Sequence, residues 1–208
     1  SAEDPPHVML ATLALCTLAL SQEPGTGSAK PLAEHVTVAR LEEELDRSLH
    51  WLRIGFDPEQ RTYGSLELDA LTLTAFATSP RRYRASEGPF LAGPYAGLLA
   101  AQKADGTFGD ANLDVLVLAA LEALREPEAT RAAERLLVAR PLRRMEQPLG
   151  DGSGPAERAR TLLALRNADG SFGSGALARA ETARGVIQLS RLHAELKALE
   201  PGKAPKEA

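Results

Sequence analysis

The sequence predicts an all-α fold, an α/α repeat with inner and outer helical layers, from three observations. A glycine-aromatic turn recurs three times, each time between two helical stretches. Ala, Leu, Arg and Glu dominate the 208 residues, and these side chains lose little freedom in a helix. Helices before the turns carry one apolar stripe, whereas those after them are apolar nearly all round, as outer and inner layers require.

Taken in order, residues 8–20 (VMLATLALCTLAL) have inner-helix texture and are expected to pair with an outer helix at 38–54. Their length also suits a signal-peptide apolar region ending at Ala19-Leu20-Ser21, but Glu3 and Asp4 stand where a positive leader belongs. The inner-helix reading is preferred. A cytoplasmic location is favoured over a periplasmic or secreted one, which holds if 8–21 is a signal peptide; the residues themselves do not name a compartment. Residues 22–31 (QEPGTGSAKP) read as a loop. In 38–54, Leu41, Leu45, Leu49 and Leu52 form the apolar stripe, with Glu42, Glu43, Asp46 and Arg53 elsewhere.

The first turn ends in Tyr63-Gly64, the second in Phe108-Gly109 and the third in Phe172-Gly173, within segments 45–77, 95–124 and 158–192. The helices that follow, LDALTLTAFA and LDVLVLAALEAL, belong to the inner layer. Residues 128–139 form a further outer-type helix stopped at Pro141, and 147–155 (QPLGDGSGP) a loop that resets the register. The result is one domain over 1–200, with units near 8–54, 55–90, 91–145 and 156–196 and a frayed tail at 201–208.

The second and third turns, KADGTFG and NADGSFG, are nearly identical. Asp105 and Asp169 can accept backbone N–H bonds across the turn, and Gly106 and Gly170 can adopt the left-handed conformation. Phe108 and Phe172 would plug between helix pairs, and Gln102 is expected to satisfy exposed N–H groups at a neighbouring helix end. Recurrence favours this architectural reading over a cation site on the aspartates.

Gln102-Lys103-Ala104-Asp105-Gly106-Thr107-Phe108-Gly109 before an apolar helix resembles the repeat of the prenyltransferase and squalene-cyclase superfamily. Residues 167–173 with Thr182-Ala183 are similar again, with Arg166 in the place of the usual Gln and Phe in that of the commoner Trp. The resemblance implies an α/α toroid, or part of one, with about four helix pairs in this chain. The chemistry of that superfamily is not carried over. The Asp-x-Asp-Asp acid of the cyclases, the Asp-Asp-x-x-Asp magnesium motif and the Gly-Cys-Gly-Glu-Gln thioester context are all missing. Cys16 is the single thiol, so no disulfide or thiolate cluster can form within these residues, and His7, His35, His50 and His193 lack ligand spacing. No metal or cofactor is expected.

Asp69 and Asp114 each lie six residues after a turn aromatic, near the start of an inner helix. They are weak candidates for an acid and base pair at the mouth of a funnel, with Glu181 a poorer third. The competing reading is favourable placement at a helix N-terminus. His50, beside Trp51, is expected to be a packing neighbour. The cluster Arg81-Arg82-Tyr83-Arg84 reads as a solvated loop with some capacity for an acidic partner. A net charge of −4 gives no footprint for nucleic acid, and no stretch reaches the roughly 18 to 20 apolar residues that span a bilayer. The expected function is therefore a non-catalytic binding or scaffold subunit with a protein partner or self-association. The alternative is a terpenoid-cyclase-like or polysaccharide-active enzyme using the inner-helix carboxylates.

Overall fold

Helix boundaries follow the local chemistry of the chain. The computed structural model describes residues 36–140 and 154–199, all within the unit Leu32–Ala208. Among them lie α1 (Val38–Ile54), α2 (Leu66–Thr78), α3 (Pro89–Ala100), α4 (Ala111–Leu124), α5 (Pro127–Ala139), α6 (Pro155–Ala164) and α7 (Ala178–Leu199), with no named strand. Thr37, Ser65 and Asp110 cap α1, α2 and α4 by accepting N–H groups of their first turns. Helices α3, α5 and α6 begin on proline, whose missing N–H is no loss in a first turn.

The helices differ in how far they are buried. Nine of the thirteen residues of α2 are buried, which makes it an inner helix with neighbours on both sides, α4 and α7. The outer helix α1 packs on α7, α3 on α2 and α5 on α4, while α6 also lies against α7. Each of Leu41, Leu45 and Leu52 is almost fully withdrawn from water, and burying such a side chain stabilises by about 1.5–3 kcal/mol.

One packing partner is not foreseen and one expectation changes. Helix α7, from the third unit, packs against both α1 and α2. Adjacency in the chain is a poor guide here, because similar inner helices offer equivalent faces. In addition, α3 starts well before Tyr95, and although its residues are apolar on most sides it buries one face, Phe90, Leu91, Pro94 and Leu98, with Gly93 beside it. Residues 8–20 with Cys16, His7 and His35, the loop 22–31, most of 147–155 and the tail 201–208 lie outside the described residues.

Candidate functional site

Each turn is pressed against another helix, the first against α3, the second against α5 and the third against α1. In the second, Asp105 Oδ1 accepts the Thr107 N–H at 2.9 Å and the Thr107 hydroxyl at 2.8 Å. In the third, Asp169 Oδ1 accepts the Ser171 N–H at 3.0 Å and its hydroxyl at 2.7 Å. These bonds hold both carboxyls below the usual carboxylate range. Gly106 and Gly170 have φ of +88° and +97°, and a Cβ there would lie 2.8 Å from the Arg135 carbonyl oxygen and 2.9 Å from that of Arg47. Glycine is required twice over, by backbone conformation and by proximity. In the first turn the corresponding residue is Arg61, at φ 58°, and the glycine stands opposite on α3 as Gly93.

The aromatics that end the turns are buried, and the inner helices lock them in place. Asp69 Oδ1 accepts the Tyr63 N–H at 2.7 Å, and Asp114 Oδ1 accepts the Phe108 N–H at 2.8 Å. The Phe172 N–H goes to Thr182 Oγ1 at 2.9 Å. Thr182, not Glu181, is therefore the third member of the set, because residues 175–177 form an extra helical turn that lengthens the spacing from six residues to ten. Glu181 lies half-buried beside Gly173.

Instead of facing a funnel, the two aspartates are turned back into the scaffold. The second oxygen of Asp69 accepts from the Thr62 hydroxyl at 2.7 Å, and that of Asp114 from Arg140 Nη1 at 2.5 Å. Both side chains are buried, and burial pushes the Asp69 carboxyl up against the two bonds that lower it. All four carboxylate oxygens are thus engaged within the fold.

Other polar groups tie turn to helix. Gln102 Nε2 donates to the carbonyl oxygens of Gly106 and Ala132, both at 2.9 Å, and its Oε1 accepts from the Arg135 guanidinium. It thus satisfies carbonyls, not the N–H groups the sequence suggests, because the guanidinium claims its oxygen. Arg166, at the equivalent place, forms a largely buried ion pair with Glu44. The contact lacks hydrogen-bond alignment, Arg166 Nη1 finds no acceptor, and burial pushes the guanidinium pKa down while Glu44 opposes that. Ser48 donates to the Gly170 carbonyl at 2.7 Å, Trp51 Nε1 to Asp169 Oδ2 at 3.1 Å, and Arg179 to the Tyr63 carbonyl at 3.2 Å. Sequence reasoning missed Trp51 and Arg179, since their partners lie more than a hundred residues away.

At the C-terminal ends of α2 and α4, a cleft of about 640 Å³ is lined by Arg82, Tyr83, Arg84, Glu122 and Arg125 among others. Arg81 points elsewhere and pairs with Asp46 at 2.5 Å. His50 is exposed on α1, and His193 is buried with Nε2 2.9 Å from Glu42. Among the described residues no group of three or more His, Cys, Asp or Glu could hold a metal ion, and no helix is long and apolar enough to cross a membrane. No family model, curated protein or solved structure matches the chain.

Proposed function

We propose that the chain is a non-catalytic repeat domain that binds a protein partner, built on a scaffold like that of the prenyltransferase and squalene-cyclase repeats. One observation carries this reading: Asp69 and Asp114, the carboxylates best placed by sequence for chemistry, have every oxygen engaged in holding a turn or, for one oxygen of Asp114, the end of α5. Groups committed to backbone N–H bonds brace a framework, and a framework of stacked helix pairs presents side chains on its outer layer. Incubation with polyprenyl diphosphates and with squalene, followed by product analysis, is expected to return unchanged substrate. Turnover that Asp114→Asn abolishes would overturn the reading. Light scattering separates a single copy from a self-associated ring, and a clean monomer removes self-association as the purpose of the scaffold.

A further inference from the structure

The structure contains its own example of what can dock on a turn. The second and third turns meet α5 and α1 in the same register, since the carbonyls of Arg135 and Arg47 lie against Gly106 and Gly170. Four residues further along each helix stand Ala139 and Trp51. At the third turn, the Trp51 indole lies over the junction, partly buried against the core, and donates to Asp169 Oδ2 at 3.1 Å. At the second turn, Ala139 offers only a methyl group, and a groove of about 470 Å³ opens between Asp105, Gly106, Arg135, Val138 and Ala139. Asp105 Oδ1 is committed to Thr107, but no described residue donates to its Oδ2, the oxygen equivalent to the one Trp51 uses.

We propose that this groove receives a tryptophan side chain of a partner polypeptide, with its indole N–H donated to Asp105 Oδ2. The inference rests on the partner-binding reading above and names its site. Three properties of the groove favour an indole. Val138 is 86% exposed and with Ala104 and Ala139 gives the groove an apolar wall. The uncommitted oxygen is an anionic acceptor, complementary to an N–H donor borne on an apolar body. The equivalent place on the same scaffold already holds that group in that hydrogen bond. A second copy of these residues has none to offer, because Trp51 is their single tryptophan and is already seated. The first turn lacks the site altogether: Gln60 stands for the aspartate, and Gly97 on α3 gives no wall.

N-acetyl-tryptophanamide titrated against the intact chain, followed by amide and methyl NMR, tests the proposal. Saturable shifts are expected at Asp105, Val138 and Ala139. The N1-methylindole analogue should bind at least about tenfold more weakly, since a hydrogen bond to a charged acceptor is lost. Ala139→Trp should seat its own indole and abolish the shifts, and Val138→Asp, at a position too exposed to disturb folding, should weaken binding at least about fivefold. Absence of saturable shifts at these residues, equal binding of the methylated analogue, or undiminished binding to Val138→Asp each overturns the site. None of these results depends on the turnover assay. Failure of the groove and failure of the non-catalytic reading are therefore told apart.

Discussion

The first turn and the other two solve one steric problem from opposite sides. Where the second and third turns meet an outer helix, glycine sits in the turn and arginine on the helix. Where the first turn meets α3, arginine sits in the turn and glycine on the helix, with a Cβ on Gly93 falling 2.7 Å from the Arg61 carbonyl and 2.9 Å from its Cβ. The contact therefore demands one partner without a side chain and does not specify which. The polar anchors vary in the same way: Gln102 reaches a helix carbonyl at the second turn, while Arg166 reaches a carboxylate at the third. What the units share is the spacing of backbone against backbone, and the side chains that secure it are interchangeable.

The largest expected effect concerns that anchor exchange. Glu44→Ala alone leaves a buried guanidinium without its counter-charge and should destabilise by about 3 kcal/mol, measured by urea unfolding. Adding Arg166→Gln rebuilds the anchor of the second turn, with Ala and Gln in the two places, and should recover most of the loss. If the double variant stays as unstable as the single one, the two junctions are not equivalent.

Next comes the glycine exchange. Gly170→Ala should destabilise by at least about 1–2 kcal/mol from the left-handed backbone alone, with the Arg47 carbonyl adding to it. Gly93→Ala should destabilise through contact only, and Arg61→Gly added to it should recover the part due to the Arg61 Cβ but not that due to its carbonyl. Thermal unfolding of the single and paired variants reads this directly.

A smaller effect separates Tyr63 from the phenylalanines at its position. Its hydroxyl is buried without a partner in a side chain only 1% exposed, and burial holds its pKa well above the ordinary value. Tyr63→Phe removes an unsatisfied group and should be neutral or stabilising by up to about 1 kcal/mol.

The aspartates differ in the sign of their pH dependence. Asp105 and Asp169 have lowered pKa values, so their contribution is present above the unfolded value near 3.9 and is lost as pH falls through the folded ones. Asp69 is raised, so its contribution is complete below about 3.9 and is lost as pH rises through its folded value. Asp69→Asn should therefore gain on the parent chain between acid and neutral pH, as read from the shift in urea midpoint. A parallel pair of stability profiles would contradict the assignment.

Much of the scaffold is legible from residues alone. The 3.6-residue spacing of Leu41, Leu45, Leu49 and Leu52 fixes the buried face of α1, and the Asp-Gly-Thr/Ser-Phe-Gly segments fix two turns, because both signals are local. The roles of Asp69 and Asp114 are not legible in that way, since an acid at a helix start reads alike whether it faces a ligand or a turn. Glu181 is misleading for a related reason: one inserted helical turn moves the lock to Thr182, and spacing counted along the chain cannot register it.

The sequence by itself determined most of the helices, the apolar stripe of α1, the all-round apolar character of α2 and the turns between helices, all of which rest on hydrogen bonds and apolar spacing within a few residues. Only tertiary structure decided that the third unit lies beside the first, that Gly93 answers Arg61, and that Trp51 covers the third turn while Ala139 leaves the second open. Those outcomes depend on which of several similar helix faces come together, and that choice is made by contacts between residues far apart in the chain.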